Sequence, residues 1–212
     1  MNHTKIFEKS IEQNIARSDI KHILLEDELS LPKLMETASA IRDYGKGNVI
    51  TYSPKVFIPL TKLCRDTCGY CTFRKDPEHE SPYMSPEEVL DLAITGEQMG
   101  CTEALFTLGE RPEQKYDVAK QWLSKYGYRS TIEYLVEMNR LLFEKSNLLP
   151  HSNPGTLSRR ELKILKPYNA SIGLMLESIS AKLYGKNGPH ENAPSKRPAV
   201  RLKTISLAGE EQ

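Results

Sequence analysis

The amino-acid sequence predicts an α/β fold. It is an incomplete TIM-like (β/α) barrel of about four parallel strands with flanking helices, preceded by N-terminal helices. Three observations carry this prediction. Short apolar runs alternate with amphipathic helical patterns, as in βα units around a parallel sheet. Each apolar run ends in a polar cluster (Cys64 to Cys71, Gly109-Glu110, His151 to Asn153, Glu177), and the C-terminal strand ends of a βα barrel are its active-site face. The count falls short of closure, because a full barrel takes about 250 residues and this chain has 212. The expected organisation is an N-terminal helical layer over residues 1–50 and a partial barrel over 51–212. A sheet left open in this way has an unpaired edge that invites association.

Each element has its own signal. Phe7, Ile11 and Ile15 recur at helical spacing, and Ile20, Ile23 and Leu24 form a second stripe. Ser30 is the expected N-cap of a third helix, with Leu34, Ala38 and Ile41 on one face and Gly45 as its C′ residue. Val56 to Leu60 reads as a strand buried on both faces. Ser85-Pro86-Glu87-Glu88 is a capping box that opens a helix with Val89, Leu92, Ala93 and Met99 inward and Gly100 at its end. Ala104 to Leu108 is the second strand, and Tyr116 to Tyr126 is helical, closed by Gly127. A second capping box, Ser130 to Glu133, opens a helix through Leu142. Leu148 to Pro150 is the third strand. A third box, Ser158 to Glu161, is flanked by a Leu157–Leu162 staple. Ala170 to Leu176 is the fourth strand, and a loop over Gly185 to Pro198 leads to a last helix from about Ala199 to Gly209.

Composition narrows the function classes. Lys and Arg number 29 against 28 Asp and Glu, a formal net charge of +1, which gives no electrostatic basis for nucleic acid or an anionic membrane as partner. No apolar run approaches the ~18 residues of a membrane span. The N-terminus leads straight into an amphipathic pattern, so no secretory signal is read and a cytoplasmic location is expected. Three of the four cysteines sit in one short stretch, which fits metal binding in a reducing compartment better than a disulfide framework.

That stretch is Cys64-Arg65-Asp66-Thr67-Cys68-Gly69-Tyr70-Cys71, a C-x3-C-x2-C spacing with an aromatic residue before the last cysteine. Three readings stand. The favoured one is a [4Fe–4S] cluster whose fourth iron is left open for S-adenosylmethionine (SAM). The second is a zinc site with Cys101 as fourth ligand, although zinc sites more often pair two short knuckles. The third is a set of free thiols. Cys101 itself reads as a small buried hydrophobe.

The spacing after a first barrel strand resembles the radical SAM superfamily. Within it, the wording resembles the FO synthase subunit 1 family. The carrying residues are Val56 to Thr61, Leu63-Cys64-Arg65-Asp66, Tyr70-Cys71-Thr72-Phe73, Asp76-Pro77, Glu103 to Glu113, Leu148 to Gly155, Met175 to Ser178, Arg201-Leu202 and Ala208-Gly209-Glu210. The resemblance implies that Cys64, Cys68 and Cys71 ligate three irons and that SAM chelates the fourth. It implies SAM contacts from Tyr70, Gly109, Glu110, Glu177 and Arg201, with Leu108 standing where the family's Gly-Gly-Glu motif has its first glycine. A loop-closing ring for Tyr70 and a plain surface ion pair for Glu177 and Arg201 are the bland alternatives. His151, Asn153 and His190 are candidate substrate contacts, and His3, His22 and His79 read as surface residues. The implied chemistry is a 5′-deoxyadenosyl radical that acts on a tyrosine–diaminouracil adduct and yields FO, the deazaflavin core, with release of ammonia. The implied partners are that small-molecule substrate, made by FO synthase subunit 2, and an electron donor.

Overall fold

A computed structural model describes residues 3–12, 15–25, 31–77 and 81–211. Ser30 and His79 lie outside the described residues, as do the side chains of His3 and His22. Backbone contacts gather the chain into two compact units, Met1–Tyr52 and Ser53–Gln212.

Among its described residues, the first unit holds three helices, α1 (His3–Ile11), α2 (Arg17–Leu25) and α3 (Leu31–Lys46). Lys9 on α1 forms an ion pair with Asp19 on α2 at 2.8 Å. The buried positions differ from the predicted stripes. Ile6 is buried in α1 while Phe7 and Ile11 are half-buried, and Ile20 is exposed. On α3 the inward stripe is Leu34, Thr37 and Ile41, with Ala38 exposed. α3 also runs past Gly45, and Gly47 takes the left-handed turn (φ 68°) that ends it.

The second unit is built on a four-stranded sheet in the order β1 (Lys55–Thr61), β2 (Glu103–Leu108), β3 (Leu149–Asn153), β4 (Ser171–Ile172). Every pairing is parallel, so all four strand tips point the same way. Helices α4 (Pro86–Gln98), α5 (Asp117–Lys125), α6 (Thr131–Lys145), α7 (Arg159–Leu165) and α8 (Pro198–Glu210) complete the unit. The four-stranded sheet does not close on itself. Alternation along β1 puts Val56, Ile58 and Leu60 in the core and leaves Phe57 49% exposed. The expectation of a strand buried on both faces is therefore corrected: helices cover one face, and the other is the lining of an open half-barrel.

The helix signals explain the packing. Ser85 accepts from the Glu88 N–H and Glu88 returns a bond to Ser85, a complete capping box. Val89 and Ala93 are buried on this helix, but Met99 is its exposed C-cap rather than a core residue. Gly96 seats α4 on β1, since a Cβ there would lie 2.4 Å from Val56 Cβ. At α6 only half the expected box forms. Ser130 caps the Glu133 N–H, while the Glu133 carboxylate turns to the Arg129 guanidinium, which offers it a stronger charged partner. Tyr83, Trp122 and Tyr134 form an aromatic cluster with ring centroids 4.9 to 5.8 Å apart. Tyr83 OH pairs with Thr131 Oγ1 and Tyr134 OH donates to Met84 O, so both buried hydroxyls are satisfied.

Two strand boundaries move. β3 is shifted forward, so that His151, Ser152 and Asn153 lie in the strand rather than beyond it. β4 is two residues long instead of seven. Its register on β3 would bring Leu174 opposite Pro154, which has no N–H to continue the ladder.

The third capping box is complete at α7, and Leu157 and Leu162 are both buried beside it. Glu161 has a second role there. Arg111, in the loop after β2, takes a left-handed backbone (φ 39°) and lays its guanidinium on Glu161 at 2.8 and 2.9 Å. Burial alone would raise the Glu161 carboxyl, but Arg111 and the Ser158 N–H and hydroxyl outweigh it and hold the group at about 2.

Two outcomes are expected. Gly96→Ala should lower stability by about 1–3 kcal/mol through overpacking, whereas Gly209→Ala in α8, with nothing within 4 Å, should be neutral or raise it by about 0.5–1 kcal/mol; denaturant midpoints decide. Because Glu161 sits below its ordinary 4.5, its contribution is fully present above that value and is lost as pH falls toward about 2. Stability of the wild type should therefore fall more steeply over that window than stability of Glu161→Gln, measured by urea midpoint against pH.

Candidate active site

The tips of β1 and β2 meet closely. Gly109 follows β2, and a Cβ on it would lie 1.9 Å from Leu63 O and 2.7 Å from Cys64 Cβ, so only glycine fits. The contact is sealed by Arg65 N–H donating to Glu110 O at 2.7 Å and Glu110 N–H pointing at Cys64 Sγ at 3.2 Å. A register shift between Pro59 and Thr61 bends β1 just before the cysteine loop. Thr61 Oγ1 then accepts from Leu63 N–H and donates to Pro82 O, fixing where the loop leaves and returns.

Cys64 and Cys68 are half-buried and Cys71 is exposed. Burial pushes the Cys64 thiol up to about 11 and raises Cys68 too. These are thiols that a metal would have to deprotonate on binding. All three cysteines line a cleft of about 150 Å³, together with Tyr70, Gly109, Glu110, Asn153 and Arg201. The sequence-predicted residues thus converge from the ends of β1, β2 and β3 and from α8.

The Glu110 carboxylate and the Arg201 guanidinium, both lining the cleft, are held by neighbouring groups. Glu110 is 5% exposed and accepts from Thr156 N–H at 3.1 Å and from Thr156 Oγ1 at 2.5 Å. Burial raises its carboxyl despite these bonds. Arg201 is 4% exposed, with Nε donating to Ser195 O at 2.9 Å and Nη1 to Met175 O at 2.7 Å. Its Nη2 lies 3.9 Å from Glu110 Oε2, which leaves that nitrogen with donors for an incoming anion. The pair is buried, so a plain surface ion pair does not describe Arg201.

Glu177, His151 and His190 are not among the residues lining this cleft. Glu177 has a left-handed backbone (φ 63°) and pairs with Lys196 at 2.5 Å, and Lys196 does line the cleft. Burial would raise Glu177, but Lys196 outweighs it and the carboxyl lies below its ordinary range. His151 shares a face of β3 with Asn153, and its Nδ1 meets Ser171 Oγ at 2.5 Å. His190 is 2% exposed and contacts the cleft through Tyr70, whose hydroxyl lies 2.8 Å from its Nε2. Sequence reasoning missed Asp66, Arg74, Met175 and Lys196, which also line the cleft. Asp66 could have been found from its position between two cysteines. Lys196 sits in a loop with no periodic signal.

A single zinc ion would need all its ligands around one point. A four-iron cube instead takes each thiolate on a separate iron. Cys101 precedes β2 whereas the loop follows β1, so a parallel sheet puts them at opposite ends, about 20 Å apart for strands of this length. Cys101 packs against the core.

Comparison with known proteins agrees. A chain from Methanopyrus kandleri named 7,8-didemethyl-8-hydroxy-5-deazariboflavin synthase is 53% identical over 76% of this chain and 49% of its own length. An FO synthase from Nocardia farcinica is 46% identical over 84% of this chain and 22% of its own. The chain therefore spans half or less of these relatives. Among solved structures, a HydG maturase of the [FeFe]-hydrogenase superposes with a TM-score of 0.73 at 22% identity, over 98% of this chain and 44% of that one. Methylornithine synthase (PylB) superposes with a TM-score of 0.70 at 20% identity, over 97% and 56%. These two likenesses establish the fold. The profile of the radical SAM superfamily matches residues 58–211, and the chain belongs to that superfamily.

Proposed function

We propose that this chain carries the cluster and SAM site of an FO synthase of the subunit 1 type. The observation that carries the reading is the single cleft in which three cysteines meet Glu110 and Arg201 at parallel strand tips. The 53% identity to the Methanopyrus kandleri synthase supports the choice of family branch. The superfamily's cofactors are a [4Fe–4S] cluster and SAM. When bound, they supply one electron to the sulfonium and a carbon radical that takes a hydrogen atom from substrate.

In this reading Cys64, Cys68 and Cys71 hold three irons and leave one open. The backbone N–H groups of Glu110 and Arg74 point at Cys64 and Cys71 sulfur at 3.2 and 3.4 Å and help to fix where those sulfurs sit. Arg201 Nη2, braced by two carbonyls, takes the methionyl carboxylate. Glu110 stays on Thr156 and keeps Arg201 aligned, a supporting role in place of direct SAM contact. Gly109 lets the β2 tip approach, and Tyr70 and Glu177 form the rim. The substrate is the tyrosine–diaminouracil adduct produced by subunit 2, converted to FO with loss of ammonia. His151 and Asn153 face it from β3, and His190 stands behind Tyr70. An electron donor in the cytoplasm completes the system. Among the described residues no helix is long and apolar enough to cross a membrane.

A second reading, cluster binding without turnover, is favoured by the open four-stranded sheet and its exposed Phe57. Turnover assays separate the two.

After anaerobic reconstitution the chain should hold about four irons and four sulfides. Serine at position 64, 68 or 71 should remove most of that iron, and Cys101→Ser should not. With reductant and SAM, 5′-deoxyadenosine should accumulate, and FO should form when the subunit 2 product is added. Zinc without sulfide would overturn the cluster reading; a cluster without 5′-deoxyadenosine, beside an active full-length relative, would select the second reading. Arg201→Lys should raise the Kd for SAM about 10- to 100-fold, the size of a lost charge-assisted hydrogen bond, measured by equilibrium binding to the reconstituted chain.

A further inference from the structure

The three cysteines are held by different parts of the chain. Cys64 belongs to the β2 tip, through the Glu110 N–H. Among the described residues, Cys71 has local support, from its N–H to Cys68 O at 3.1 Å and the Arg74 N–H on its sulfur. Cys68 is gripped from outside the loop. The residue before it, Thr67, donates its N–H to Asn192 O at 2.8 Å, and the residue after it, Gly69, donates to Pro189 O at 2.8 Å. Thr67 and Asn192 form an antiparallel bridge.

The gripping segment is itself anchored by buried side chains. His190 is 2% exposed, with its ring packed on Tyr70 and Tyr184 at centroid distances of 5.4 and 4.9 Å. Its Nε2 pairs with Tyr70 OH at 2.8 Å, while its Nδ1 is buried without a partner. A buried imidazole usually satisfies both nitrogens. Here the Tyr70 hydroxyl is the polar contact that orients the ring. Five residues on, Ser195 is 1% exposed. It accepts from Arg65 at its hydroxyl, gives its N–H to Asp66 Oδ1 at 3.4 Å and accepts from Arg201 Nε at its carbonyl.

We propose that residues 189–195 are a strap that fixes Cys68 at its corner of the cluster site, latched by the Tyr70–His190 hydrogen bond, with His190 as a positioning residue. This rests on the cluster reading of the cysteine loop. It assigns Tyr70 a partner within the protein. It also links the cysteine loop to Arg201 through Ser195, so the two halves of the site are set by one segment.

The test follows iron release from the anaerobically reconstituted chain to a ferrous chelator. Tyr70→Phe and His190→Phe each remove the latch and keep a ring. Each should release iron about five- to tenfold faster than wild type, the size of a lost buried hydrogen bond. The double variant should be no faster than either single one. His190→Gln, which returns an amide nitrogen near the Nε2 position, should come within about twofold of wild type. Far-UV circular dichroism of the metal-free variants should match wild type, so that faster release is read on folded chains. Should His190→Phe fail to fold, Tyr70→Phe decides alone. Wild-type release rates in the phenylalanine variants, or effects that multiply in the double variant, overturn the strap while leaving the cluster reading in place. A wild-type chain that takes up no iron and sulfide overturns both.

Discussion

The constraint on which the site depends is the close approach of the β1 and β2 tips. Parallel pairing brings Thr61 level with Leu108, and the glycine that follows lets the two loops touch backbone to backbone. The Arg65 and Glu110 bonds lock that contact and aim an N–H at Cys64 sulfur. Any side chain at position 109 would push the cysteine loop away from the sheet. The first cysteine is thus fixed by strand geometry, while the backbone on both sides of Cys68 is held by residues 189 and 192.

Two buried charged groups sit beside this frame, each braced by neutral partners. Glu110 and Arg201 are both nearly inaccessible, and each has neutral partners besides the other. Such a pair is a poor source of stability, because desolvation offsets its attraction. It is a good source of rigidity, and it holds Arg201 Nη2 facing the cleft. Arg111 does similar work one loop further out, tying the β2 tip to the start of α7 through Glu161. The exposed inner face of the sheet, with Phe57 and Leu149, contrasts with this packed outer side.

The parallel order and the helix starts were legible because they rest on local chemistry. Ser85, Ser158 and their partner glutamates state a helix N-terminus within four residues. The cysteine spacing was legible for the same reason. Side-chain roles were less so. Glu110 lines the cleft as expected for a residue at the β2 tip, but that its carboxylate accepts from Thr156, distant in sequence, had no local signal. Sequence also made β4 seven residues long by hydrophobic pattern, while the ladder stops at Pro154 on the neighbouring strand. Met99 and Ile20 looked buried by periodicity and are exposed, since a stripe does not say where a helix turns away from its support. The strap over Cys68 left no periodic trace, because it works through backbone bonds and one histidine.

The central claim is that Cys64, Cys68 and Cys71 hold three corners of a four-iron cluster and leave the fourth iron to SAM. Mössbauer spectroscopy of the chain reconstituted with isotopically labelled iron tests it most directly. About one quarter of the iron signal should be distinct from the rest and should shift when SAM is added, with the remaining three quarters unchanged. A spectrum in which no iron responds to SAM, or a chain that binds zinc in place of iron and sulfide, would contradict it.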